Sequence, residues 1–161
     1  RVILSSPCDV LVVKKPCAKC TGVYSSILLS YDGSEFSKRA LGRACELSKL
    51  DGSEITALYV IPRYEEMVEF FSASFIKENL RLDAEKIVDG AKSLASGMGV
   101  SIKTEIATGQ ESEKIVETAN KLKSDLIIRG THGWTGINKA LIGSVIESVT
   151  INAPCPVLAV R

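Results

Sequence analysis

Few folds tolerate a glycine-rich turn wedged between a short apolar run and a helical pattern, and this chain has one at Gly130-Thr131-His132-Gly133-Trp134-Thr135-Gly136. Leu126-Ile127-Ile128 precedes it, and Gly143-Ser144-Val145 leads into a helical pattern that ends near Asn152. Strand, glycine turn and helix N-terminus together make a cradle for phosphate. The N–H groups of the turn and of the first helical turn have no backbone partners, and the helix dipole adds positive potential there. Glycine lets a phosphate oxygen reach the backbone with no Cβ in the way. No Lys-Ser or Lys-Thr pair stands directly after a glycine, as a Walker loop needs, and the spacing does not fit a dinucleotide fingerprint. The spacing is Gly130, two residues, Gly133, nine residues, Gly143, Ser144. The competing reading is that these glycines only end elements and pack closely. Four positions between one strand and one helix favour phosphate.

The chain also repeats itself. Val2-Ile3-Leu4-Ser5-Ser6-Pro7-Cys8-Asp9-Val10-Leu11-Val12-Val13-Lys14 lies against Val149-Thr150-Ile151-Asn152-Ala153-Pro154-Cys155-Pro156-Val157-Leu158-Ala159-Val160-Arg161 at a constant offset of 147 positions. Val, Pro, Cys, Val, Leu and Val recur in place, and Lys14 answers Arg161. Residues 1–14 are therefore expected to be the last strand of a preceding domain of the same kind. Residues 15–22, polar with Pro16 and Gly22, read as a linker, and residues 23–161 as the domain itself. That the chain opens on Arg1 and not on methionine fits a processed or excised piece.

Within 23–161 the pattern alternates. Val23 to Tyr31 suits a buried parallel strand. It closes on Asp32-Gly33-Ser34, whose serine can cap a helix carrying Phe36, Ala40, Leu41, Ala44, Cys45 and Leu47. Asp51-Gly52 stops that helix, and Ile55 to Ile61 makes the next strand, closed by Pro62. Arg63 to Ala73 is acidic and aromatic and reads as a loop or short helix. From Ser74, Ile76, Leu80, Ala84, Ile87, Ala91, Leu94 and Met98 trace one helical face, ended by Gly97 and Gly99. Val100 to Ala107 predicts a third strand, Gln110 to Ser124 a helix, and Leu126 to Ile128 a fourth strand. A last helix from about Ser144 to Ile151 and a strand over Val157 to Val160 complete the pattern. Alternating strands and helices imply right-handed crossovers and a parallel sheet covered on both faces. Ligands in such sheets sit beyond the carboxyl ends of the strands where the strand order reverses. Asp32 and Gly130 both fall at such ends.

A net charge of +1 on 161 residues offers no basic field for nucleic acid. No apolar run is long enough to span a bilayer and no signal peptide pattern opens the chain, so cytoplasmic is the expectation. The five cysteines are scattered, which argues against a disulfide framework. Cys17-Ala18-Lys19-Cys20 is a CxxC that suits a redox pair, half of a zinc site, or plain linker cysteines; two further zinc ligands are not evident, which favours the last.

The glycine spacing, with Ile27-Leu28-Leu29-Ser30-Tyr31-Asp32-Gly33-Ser34, Ala57-Leu58-Tyr59-Val60-Ile61 and Pro154-Cys155-Pro156-Val157-Leu158, resembles the universal stress protein family over Tyr24 to Arg161. The resemblance implies a five-strand parallel α/β fold with helices on both faces, Rossmann-like and akin to the adenine nucleotide alpha-hydrolases. Here an extra N-terminal strand is added. It implies a usually dimeric protein, and the intact signature looks like the ATP-binding branch. Carried over, Asp32 takes the ribose or adenine side, and Ser30 and the backbone of Val60 border adenine. Arg129, Gly130 and Gly133 line the ribose and phosphate turn, and Gly143, Ser144 and Val145 hold phosphates. A carboxylate accepts hydroxyl or amine hydrogens and repels phosphate, which agrees with Asp32 at the nucleoside end, although Asp32 also suits a plain turn and cap role. Arg129 departs from the small or apolar residue common before the first glycine. Turned inward it would pair with phosphate; outward, the preferred reading, it would only solvate the loop. His132 reads as a solvated loop residue, and Trp134 as a lid or an interface residue.

The resemblance leaves three functions. The first is a regulatory module that binds ATP or AMP, with Mg²⁺ held through the phosphates. The second is a slow ATPase or related nucleotide-hydrolysing enzyme, for which no dedicated metal ligands or positioned base are visible. The third is a ligand-free dimerisation domain, against which the intact glycines and Ser144 argue. The expected partner is a second copy joined through the last strand, or a preceding domain in its place, because that strand would otherwise be an exposed edge.

Overall fold

The computed structural model describes residues 2–14, 22–62, 73–133 and 144–161. The elements run α1 (Val2–Ser5), β1 (Val10–Val12), β2 (Ser26–Ser30), α2 (Glu35–Asp51), β3 (Glu54–Ile61), α3 (Ala73–Gly97), β4 (Lys103–Thr108), α4 (Glu111–Leu122), β5 (Leu126–Gly130), α5 (Ser144–Asn152) and β6 (Val157–Val160). One sheet holds the strands in the order β1-β6-β5-β2-β3-β4. The five strands of the domain are mutually parallel, and β1 joins the β6 edge antiparallel. The expected five-strand parallel sheet with an additional N-terminal strand is present. From β2 the chain steps outward through β3 and β4, then returns to the other side of β2 with β5 and β6. The order therefore reverses between β2 and β5.

The central strands are buried on both faces, which is why they read as continuous apolar runs. One core, on the α2 and α3 side, holds Ile27, Leu29, Leu41, Ile55, Leu126 and Ile128. The other, on the α4 and α5 side, holds Leu28, Leu58, Ile115, Ile127, Ile146 and Val149. Alternate residues of β2 and β5 go to opposite cores, as a two-residue period requires. Each such side chain contributes about 1.5–3 kcal/mol on burial. Helix α2 starts where the sequence implies: Ser34 Oγ accepts the Ser37 N–H, and Gly52 ends it at φ 71°, a left-handed position that suits glycine.

The element ends depart from the expected bounds for local reasons. The first domain strand begins at Ser26, not Val23, because Asp51 takes the Tyr24 N–H and Asp125 takes those of Ser25 and Ser26. The strand expected from Val100 begins at Lys103, since the Val100 N–H returns to the Ala95 carbonyl and closes α3. Gln110 is the extended N-cap of α4, and Lys123, at φ 53°, ends it one residue short of Ser124. Strand β5 continues through Arg129 and Gly130, which pair with Ser30 and Val160 and so belong to the sheet. The head contains a turn of helix before its strand, where residues 1–14 were expected to be a strand alone. The segment Arg63–Ser72, the CxxC at Cys17 and Cys20, and Trp134 lie outside the described residues.

Candidate functional site

At the reversal point, the carboxyl ends of β2 and β5 bring Ser30 and Arg129 side by side. Asp32 follows β2 immediately, Gly130 and Thr131 close β5, and Ser144 opens α5 on the same face as Ile127. Val60, next to last in β3, lies on that face too, 8% exposed. Val145 packs against the second core, so what it can offer an anion is its backbone N–H. Gly143 lies outside the described residues. Of the residues expected at the site, the fold thus gathers Ser30, Asp32, Val60, Arg129, Gly130 and Gly133 around one set of strand ends.

The two described signature glycines are required by different neighbours. A Cβ on Gly130 would stand 2.8 Å from the Phe36 backbone and side chain in α2. That is the close-packing reading, and it accounts for Gly130 by itself. A Cβ on Gly133 would stand 2.5 Å from Asp32 Oδ2. Gly133 is therefore laid directly against a carboxylate, and any side chain there would have to displace it. Asp32 has its expected turn role: Oδ1 accepts the Ser34 N–H at 2.9 Å in an Asx turn, while Oδ2 lies beside Gly133.

Arg129 is neither outward nor turned to the phosphate end. Its side chain is 11% exposed, and Nη1 donates to Ser30 Oγ at 3.0 Å and to Glu111 Oε1. A charge at the end of a buried strand needs a partner, and the first residue of α4 supplies it from a position where the helix dipole favours a carboxylate. Glu111 is the residue that sequence reasoning missed. Its one signal was an acidic residue opening a helix directly after Gly109-Gln110. His132 also differs from expectation, being half-buried with its ring 4.7 Å from the Phe36 ring and Nδ1 hydrogen-bonded to Thr131 Oγ1 at 2.9 Å. Thr131 in turn donates its N–H to the Val160 carbonyl at 2.8 Å. Nearby, burial pushes the Tyr31 hydroxyl above its ordinary pKa, with Lys38 opposing, so it stays neutral.

Residues 24–161 match the model of the universal stress protein family. The chain is 37% identical over 141 residues to the universal stress protein MJ0531 of Methanocaldococcus jannaschii, covering 86% of this chain and 83% of that one. Among solved structures it is similar to the hypothetical protein MJ0577, with TM-score 0.75 and 33% identity over 86% of this chain and 96% of that one. A universal stress protein solved in complex with cAMP shares the fold, with TM-score 0.64 and 24% identity over 86% of this chain and 98% of that one. A longer universal stress protein from Archaeoglobus fulgidus DSM 4304 shares it over 99% of this chain, head included, and 52% of that one, with TM-score 0.68 and 23% identity.

Proposed function

We propose that this chain, which belongs to the universal stress protein family, binds an adenine nucleotide, ATP or AMP, and acts in the cytoplasm as a nucleotide-dependent regulatory module. The observation that carries this reading is Gly133 lying against the Asp32 carboxylate at the reversal point of the sheet, just after the strand that precedes the N-terminus of α5. A carboxylate at one end and a helix N-terminus, whose dipole favours an anion, at the other make a polarised site, which suits a ligand with hydroxyls or amines at one end and phosphates at the other. In this reading Ser30 and the Val60 backbone border the base, Asp32 takes the ribose or base, and Arg129, Gly130 and Gly133 line the turn. Gly143, Ser144 and Val145 hold phosphates, and Mg²⁺ enters through the phosphates. That the fold accommodates an adenine mononucleotide elsewhere, as in the relative holding cAMP, is compatible with it.

Binding and not turnover is favoured because the two residues nearest the turn that suit catalysis are engaged. Arg129 is tied to Glu111, and His132 lies on Phe36. Neither is aimed at a phosphate as a transition-state cation or a base. The test is to denature the purified protein, identify released nucleotide by chromatography, and titrate the stripped protein with ATP and Mg²⁺ by calorimetry. Binding should fall at least tenfold in Asp32→Ala and in Gly133→Val, with circular dichroism confirming that each variant stays folded. Steady-state phosphate release should stay near background. No released nucleotide and no heat at millimolar ATP would sink the reading.

A further inference from the structure

A charged side chain stands where the strand pattern calls for an apolar one. Leu28 and Ser30 of β2, Ile127 and Arg129 of β5, and Leu58 and Val60 of β3 alternate onto the α4 and α5 side of the sheet, and the first of each pair lies in the core there. Arg129 and Ser30 are thus the next step of that core, at the strand ends. Helix α4 packs across β2 and β3. The Gly109 N–H donates to the Ile61 carbonyl at 3.0 Å, which ties the start of α4, and with it Glu111, to the end of β3. The Arg129 guanidinium therefore crosses from β5 over β2, where Nη1 donates to Ser30 Oγ at 3.0 Å and to Glu111 Oε1.

That pair leaves hydrogen-bonding capacity unused. A guanidinium carries five N–H donors, and Nη1 holds two of them. Among the described residues, Nε and Nη2 of Arg129 have no hydrogen-bond partner, and neither has Glu111 Oε2. The Arg129 side chain is only 11% exposed. Stability does not account for a charge there, because apolar residues of similar volume often replace a buried ion pair at no cost. The open atoms stand beside Ser30 and on the face of Val60, the base end of the proposed site, and not beside the phosphate turn.

We infer that Glu111 and Arg129 read the base: Glu111 Oε2 accepts from the exocyclic amino group of adenine, and Nε and Nη2 of Arg129 donate to a neighbouring ring nitrogen. The inference rests on the nucleotide reading above and adds the atoms that select the base. An acceptor fixed beside a donor complements the amino edge of adenine. Hypoxanthine and guanine carry a carbonyl oxygen at the same position, which would meet a carboxylate oxygen with no proton between them. The charge-assisted bond from Nη1 to Oε1 holds acceptor and donor in that order.

The test compares ATP with inosine triphosphate, whose base has a carbonyl oxygen and a ring N–H where adenine has an amino group and a ring acceptor. Each is titrated with Mg²⁺ into the stripped full chain by calorimetry. The parent should bind ATP tighter by about tenfold or more, since a site built to hydrogen-bond one edge rejects the other. Glu111→Gln keeps an oxygen for Nη1 and puts an amide N–H₂ in place of Oε2, so the preference should vanish or turn toward inosine triphosphate. Should that variant fail to melt cooperatively, Arg129→Met, which continues the core and releases Glu111, replaces it, with the preference again expected to vanish. A merely structural role would weaken both nucleotides alike and leave their ratio unchanged. Equal affinity of the parent for the two, a parent preference for inosine triphosphate, or a ratio that survives in the folded variant overturns the inference and leaves the nucleotide reading standing. Binding of neither nucleotide overturns both.

Discussion

Residues 2–14 and 149–161 share six of thirteen residues in register and meet two fates. In the tail, Val157 and Val160 are 1% and 2% exposed and Cys155 is largely buried; in the head, Val13 is 52% exposed and Cys8 lies open. Both segments make the same backbone: a helical turn, a Pro-Cys bend and a short strand. The local pattern thus fixes the conformation, and the burial is fixed by what flanks it. The comparison separates two contributions that a single strand confounds, namely the propensity to be extended and the apolar contact that makes extension stable.

The largest effect should come from placing a charge at equivalent strand positions. Val160→Asp puts an unpaired carboxylate into a core position, costing roughly 4 kcal/mol or more, enough to unfold many domains of this size. Val13→Asp, at the same place in the repeat, should stay within about 0.5 kcal/mol. Urea denaturation followed by circular dichroism measures both. Equal costs would mean that the head is as deeply embedded as the tail and would undo the contrast.

This contrast also explains what the sequence could and could not disclose. The helical faces and buried strands were legible because each follows a period, 3.6 or 2, that depends only on its own residues. The strand limits were not, because they depend on side chains that arrive from elsewhere. Asp125 takes the N–H groups of Ser25 and Ser26 across 99 or 100 positions. The site divides in the same way. Asp32 and Gly133 were legible from turn chemistry and glycine spacing, whereas the reason for Gly130, the backbone of Phe36, belongs to α2. Arg129 was misjudged as outward because its partner Glu111 lies 18 residues earlier and meets it only in the folded sheet. Charge pairs between elements leave no trace in a one-dimensional pattern.

A smaller effect should distinguish the reciprocal cations. Lys14 Nζ meets the carbonyls of Ile151 and Ala153 at the end of α5, a helix of nine residues, while Arg161 meets Ser6 beyond a helix of four. A cation at a helix C-terminus contributes about 0.3–1 kcal/mol, and the dipole of a single turn is weaker than that of a longer helix. Lys14→Met should therefore cost more than Arg161→Met, both by well under the strand substitutions, in the same urea titration. The opposite ranking would show that the hydrogen bond itself, and not the helix behind it, sets the contribution.

The cysteines offer the finest contrast, because Cys8 and Cys155 are equivalents in the repeat and only their surroundings differ. Burial, with the Asp125 carboxylate adding to it, pushes the Cys155 thiol from 9.0 up to about 12. Thiolate is the reactive form, so at pH 8 a thiol reagent should label Cys8 quickly and Cys155 only when the protein unfolds, as mass spectrometry of the labelled peptides would read. The same shift has a consequence for stability. Above its ordinary value the unfolded state gives up the Cys155 proton while the folded state keeps it, so the unfolded state binds fewer protons and stability falls as pH rises between about 9 and about 12. The slope from this group approaches about 1.4 kcal/mol per pH unit. Other groups titrate in alkali, so the quantity to compare is a difference. Cys155→Ala should flatten the alkaline decline relative to the parent. A decline untouched by Cys155→Ala would mean that the tail thiol is hydrated after all and that the two copies of the repeat differ less than their strands do.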